Sequence, residues 1–355
     1  MADEQAEGAS RRTFLVGAGA AGLAGVALSN AVWAAPALAQ AAGEAPGAAP
    51  NASAAAAAAA GAAGLPSVID LTLDGAASGR LLSTEGGNVT ADVITEKLGS
   101  DYFQKKHIGQ PKYEDFAVQC GTGMSKGFYN WIKASFDGKP EQRNGSVKLL
   151  NIKGQGTSLD FTNALLTEIG FPALDAAAKD AAKMTIKFSP EVTRMKAASG
   201  APQGTVKGQK QWLPSNFRLE IQGLDCTKVS KIDAFTVKQT IVTDQVGDAR
   251  TPTRHPAKVE IPDLRVELPL SSADTWFQWL DDFVVKGNSG DDQERGGSLT
   301  FLAPDNTTPL FVLTFKHLGI FKVAPDKAEA GAEGVRRVKA ELYCEQMVFE
   351  PKVGF

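Results

Sequence analysis

The chain can be laid on itself. Val68-Ile69-Asp70-Leu71-Thr72-Leu73-Asp74-Gly75 falls on Asn216-Phe217-Arg218-Leu219-Glu220-Ile221-Gln222-Gly223 at an offset of 148 residues. At that same offset Phe116 meets Leu264, Val118 meets Val266, Phe128 meets Trp276, Trp131 meets Trp279 and Ile132 meets Leu280. Further on, Ser146-Val147 meets Ser298-Leu299 at an offset of 152, which places an insertion in the polar stretch from Asn288 to Arg295, where a loop tolerates it. A second insertion of equal size would set Cys344 on Phe188. Each unit is large enough to own a core, so the pattern is a domain duplication rather than a solenoid, with copies expected over 67–205 and 206–355.

Within each copy the hydrophobic period is that of strands. Phe217, Leu219 and Ile221 alternate with Arg218, Glu220 and Gln222, which directs three apolar side chains to one face. Ala234–Val242 and Asp263–Leu268 read as further strands, Gly297–Leu302 and Leu310–Phe315 as a hairpin, and Val335–Phe349 as a last long strand. Between them, Ser271–Asp274 opens a helix that carries Trp276, Leu280 and Phe283 on its buried face, and Ser125–Phe136 is its counterpart. Phe128, Trp131, Trp276 and Trp279 are the expected core anchors of the two helices. The fold class is therefore mainly β with a minor helical part: two tandem antiparallel sandwich or half-barrel domains, each with one short helix.

The segment before the repeats follows other rules. Met1–Pro66 holds 28 alanines, so its apolar content is compositional. Arg11-Arg12 followed by Phe14-Leu15, a mildly apolar Gly- and Ala-rich stretch and the small-x-small pattern at Ala37 and Ala39 resembles a twin-arginine export signal over 1–39. The translocase of that pathway is the implied partner, and the mature chain is expected in the periplasm or outside the cell. The stretch is too short and too Gly-rich for a stable membrane anchor. Residues 40–66, Ala, Gly and Pro with little else, read as a tether.

Chemical signatures are few. A net charge of −3 supplies no global attraction to nucleic acid. His107 and His255 share the 148 offset inside the long connections between strands, His317 ends a hairpin strand, and no metal-ligand spacing exists. The acidic groups Asp281-Asp282 and Asp291-Asp292 with Glu294 lack the length and glycine of a calcium loop. Cys120 and Cys344 fall on apolar positions of the sister copy, and Cys226 lies in a polar turn as the thiol expected to be reachable. Gly17-Ala18-Gly19-Ala20-Ala21-Gly22 matches a dinucleotide fingerprint only formally, since no strand precedes it. No catalytic residue, metal or cofactor is expected.

The order of elements resembles the tail tube protein family of contractile phages and related injection systems. Copy two carries the pattern in Asn216–Gly223, the connection Val246–Pro262, the helix around Trp279-Leu280 and the hairpin Gly297–Phe315. Copy one adds Trp131-Ile132-Lys133-Ala134-Ser135-Phe136-Asp137-Gly138-Lys139, close to the family's helix-to-strand segment. The resemblance implies a structural protein that self-assembles into a trimeric or hexameric ring. A duplicated module is similar to the hub proteins, and an export signal departs from the tube subunit. Val338 and Leu342, in the last strand, are the expected assembly edge, and the long connections are expected to project toward a further ring or a capping partner. The alternative is a monomeric periplasmic carrier with a ligand cleft between its two β domains.

Overall fold

The computed structural model describes residues 67–97, 99, 102–151, 153–201, 212–245, 251–326 and 335–352. Arg11, Arg12, Phe14, Leu15, Ala37 and Ala39 of the export signal, the tether, and the boundary expected at 205/206 lie outside the described residues.

In the first copy six antiparallel strands close on themselves. β1 (Ser67–Leu73) pairs with β2 (Ala76–Gly86), which runs beside β5 (Phe116–Cys120). β5 pairs with β9 (Met184–Ser189), β9 with β7 (Gln155–Phe171), β7 with β6 (Arg143–Asn151), and β6 returns to β1. Closure removes the free edges that an open sheet would expose. The expected half-barrel is thus a full barrel in this copy. β7 is longer than the barrel needs, and β10 (Val192–Ser199) lies along its first half where β9 lies along its second. β3 (Val89–Glu96) and β4 (Lys105–Tyr113) leave the barrel as a separate hairpin, so the long connection expected to hold His107 is itself β structure.

The second copy repeats this plan with one opening. β11 (Phe217–Ile221), β16 (Arg295–Leu302), β17 (Pro309–Pro325), β18 (Arg337–Pro351), β15 (Leu264–Pro269) and β12 (Lys231–Ile232) lie side by side in that order. Between β11 and β12 the chain turns instead of pairing, with the backbone N–H of Leu224 donating to Ile221 and that of Val229 to Cys226. β13 (Phe235–Asp244) and β14 (Thr253–Glu260) form the hairpin equivalent to β3 and β4, and His255 lies on it. Both hairpins shift register at the same place, between Ala91 and Val93 in one and between Gln239 and Ile241 in the other.

The duplication extends to backbone detail. β7 and β17 are each 17 residues long, and the ninth residue of each, Asn163 and His317, has a positive φ of 50° and 57°. Gly145 and Gly297 sit opposite these kinks, where an added Cβ would lie 2.1 Å from the Thr72 carbonyl oxygen and 2.8 Å from that of Glu220. Leu166 pairs with Phe188 as Ile320 pairs with Leu342. Phe188 therefore corresponds to Leu342 and Pro190 to Cys344, so the second insertion is half the size expected from the sequence. One further expectation is overturned. Val338 and Leu342 are not at an edge: β18 is paired on one side with β15 and on the other with β17, and both side chains are fully buried.

The helices explain why the two copies pack as they do. The first spans Lys126–Phe136, capped by the Ser125 hydroxyl, which accepts from the Phe128 N–H at 3.3 Å. Trp131 and Phe128 are fully buried, and the Trp131 indole donates to the Glu141 carbonyl at 2.8 Å. The second helix begins at Asp274, at the end of the expected opening stretch Ser271–Asp274, and a tight 3₁₀ turn at Leu270–Ser272 precedes it. It passes into a π-helical turn at Asp281–Val285. Trp276, Trp279 and Phe283 are buried while Leu280 is only half-buried, so the expected stripe is rotated. Truncating Trp131 or Trp279 to Ala is expected to cost about 3–5 kcal/mol each by opening a core cavity, read as a lowered midpoint in urea unfolding.

Candidate assembly interface

Two strands with unused edges meet inside the chain. Beyond Ala164, β7 has left β6, and its edge would carry unpaired backbone groups. β13 of the second copy fills that edge: Phe235 pairs with Phe171, Thr236 with Gly170, Val237 with Ile169 and Lys238 with Glu168. The result is one nine-stranded sheet that crosses from copy to copy. The reciprocal crossing is shorter: β8 (Leu174–Asp175) of the first copy pairs with β12 of the second. Phe171, 2% exposed, is stacked on Phe235 at 5.0 Å and on Phe301 at 5.7 Å. Phe136 of the first helix is stacked on Phe349 at 5.7 Å, so aromatic rings from both copies share one core.

Beside this strand seam lies a polar socket. Arg254, at the start of β14, donates through its guanidinium to Asp115 at 3.3 Å and to the Tyr113 carbonyl at 3.1 Å. Its backbone N–H donates to Glu191 at 2.8 Å, and its carbonyl accepts from the Gln142 amide at 3.1 Å. Glu191 is held from the other side by the Asn163 amide at 2.6 Å, and Asp115 by the Ser189 hydroxyl. Burial lowers the Arg254 pKa, and the charges of Asp115 and Glu191 oppose that loss. The left-handed kink at Asn163 gives it its place in the socket.

The second copy has the same socket with different residues. Glu294 stands where Gln142 stands, His317 where Asn163 does, Glu345 where Glu191 does and Asp263 where Asp115 does. Nδ1 of His317 lies 2.8 Å from Glu294, and the Tyr343 hydroxyl donates to the other Glu294 oxygen at 2.7 Å. Potential ligand atoms of Glu294, His317 and Glu345 fall within 4.8 Å of one another. No spacing in the sequence reveals this group, because its members come from three separate strands or their ends. His317 is at a mid-strand kink rather than at the end of a hairpin strand.

Two surfaces of the seam's kind have no strand beside them among the described residues. β17 leaves β16 after Leu318, so the edge from Gly319 to Pro325 has β18 on one side only. Phe321 there is 42% exposed. β3 pairs with β4 alone, and its hairpin exposes Val89, Val93, Ile94 and Ile108, apolar side chains that water would otherwise cover.

The thiols are not poised for chemistry. Burial pushes the Cys120 pKa up to about 12 and those of Cys226 and Cys344 to about 11. Cys226, expected in the sequence to be reachable, is half-buried against the core. Between the copies lies an open cleft of about 680 Å³, in which carboxylates of Glu85, Glu114, Asp115, Glu168 and Glu260 face Lys187 and Lys238. Among the described residues no helix is long and apolar enough to cross a membrane.

Comparison with known proteins finds likeness over part of the chain. No curated protein matches. Among solved structures, the PVC sheath–tube complex of an extracellular contractile injection system in its extended state is 21% identical, with 36% of this chain and 88% of that one covered and a TM-score of 0.32. The tube-terminating cap of the anti-feeding prophage is 22% identical, covering 37% and 88%, with a TM-score of 0.33. Hcp1 from Flavobacterium johnsoniae is 12% identical, covering 38% and 94%, with a TM-score of 0.23. The family of T4-like virus tail tube protein gp19 matches residues 69–193, which span the first copy from β1 to the start of β10. That stretch is where this chain carries the likeness to a phage tail tube protein.

Proposed function

We propose that the protein is a structural subunit that assembles with copies of itself into a ring or tube outside the cytoplasm. The observation that carries this reading is the seam within the chain, where a hairpin of one tube-like module adds to the barrel of the other. A module that joins its sister in this way is built for repetition, and the tail tube match of the first copy agrees with that role. Two modules per chain make a trimer of pseudo-sixfold symmetry the favoured closed form, with six chains as the larger alternative. The function asks for no catalytic group, metal or cofactor.

The carrier reading rests on the cleft between the copies. Its open mouth and charged walls suit water better than a sequestered ligand, whose sites are mostly apolar with few polar groups. Assembly is therefore preferred. Export rests on Arg11 and Arg12 with Phe14 and Leu15, and trimming on Ala37 and Ala39. The twin-arginine translocase, which passes folded proteins, would be the transient partner.

Native mass separates the two readings. The chain from Gln40 is expected to elute far above the 37.3 kDa of the full monomer and to give ring-shaped averages in negative stain, whereas a protein monomeric at high concentration is the carrier. Export has its own test. Replacing Arg11 and Arg12 by Lys is expected to leave full-length precursor in the cytoplasm, and unchanged export would assign the address to another segment.

A further inference from the structure

The seam inside the chain is a template for one that the chain lacks. Residue by residue, β3 is the equivalent of β13, β4 of β14, and the stretch Lys322–Pro325 of β17 of Glu168–Phe171 of β7. The copy-two hairpin is docked on the copy-one barrel, while the copy-one hairpin and the copy-two barrel edge are both unused among the described residues. The second seam would use other strands: the internal one joins β13 to β7, and the strands left over are β3 and the end of β17.

We propose that the β3–β4 hairpin of one chain docks on the β17 edge and the Glu294–His317–Glu345 socket of a second copy of this chain, reproducing the internal seam between molecules. The inference rests on the assembly reading above and assigns its interface. By equivalence with the internal seam, Val89 falls opposite Val323 and Thr90 opposite Lys322. Lys106 takes the place of Arg254: its backbone N–H meets Glu345, and its ammonium meets Asp263.

Charge decides which hairpin fits which barrel. The tip of the copy-one hairpin reads Lys105-Lys106-His107 where copy two reads Thr253-Arg254-His255, one cation more. The copy-two socket has Glu294 where copy one has Gln142, one carboxylate more. The additional charges are complementary. On the barrel edge the ion pair is reversed between the copies: Glu168 with Lys187 at 2.9 Å in copy one, Lys322 with Glu341 in copy two at 2.5 Å. Lys238 lies opposite Glu168 in the internal seam, and on the copy-two edge it would lie opposite Lys322 and be repelled. Thr90, its equivalent, carries no charge. Copy two is thereby barred from docking on copy two, and the modules alternate.

The experiment uses the chain from Gln40. Pairing Val89→Cys with Val323→Cys is expected to give a ladder of disulfide-linked chains on non-reducing gels, absent from either single variant. Lys106→Glu is expected to weaken association at least tenfold by sedimentation, and Asp263→Lys in the same chain to restore much of it. Lys106 is exposed and outside the internal seam, so the variant keeps its fold, checked by thermal melting. A wild-type ring with no ladder, whose mass Lys106→Glu leaves unchanged, overturns this interface but not the assembly reading. A wild-type monomer overturns both.

Discussion

Everything in the described structure depends on how the far half of β7 satisfies its backbone. The strand outruns its neighbour β6, and an exposed row of amide and carbonyl groups is an invitation to pair. β13 of the other copy accepts it, with Phe171, Phe235 and Phe301 packed at the end of the added strand. Main-chain bonds fix the register, and the aromatic cluster removes the apolar surface that strand addition alone would leave wet. The two modules are thus welded by a sheet and a core together.

Much of the module is legible in the sequence and much of its wiring is not. The repeat can be read because apolar, Trp and Gly positions recur at a constant spacing, and the first helix because Ser125 is followed by Phe128, Trp131, Ile132 and Phe136 at helical intervals. Those are local signals. The place of β18 is a nonlocal fact: its run of Val338, Leu342, Met347 and Phe349 looks the same whether it borders solvent or two other strands. Full burial of Val338 and Leu342 comes from β15, far upstream in the chain, and from β17. The second helix departs from its expected stripe by one position. Within Asp274–Leu280 it is Trp279 rather than its neighbour Leu280 that turns fully inward, and a π-helical turn follows at Asp281–Val285.

The socket is beyond the sequence altogether. Glu191, Asn163, Gln142 and Asp115 are far apart along the chain, and they converge only because β7 kinks at Asn163 and β10 folds back along it. A polar residue with positive φ inside a long strand is costly unless neighbours hold it. Here the held residue recurs in both copies while its chemistry differs, an amide in one and an imidazole in the other. The backbone device is shared, and the side chains around it have diverged in charge. That separation lets one architecture carry two distinguishable surfaces.

The internal seam joins a hairpin to a barrel, two unlike surfaces, so no twofold axis relates the modules across it. A contact of this sort has a direction, as an arrow does. Objects built from arrows laid nose to tail have two faces that are never interchangeable, and anything that meets such an object can tell its top from its bottom.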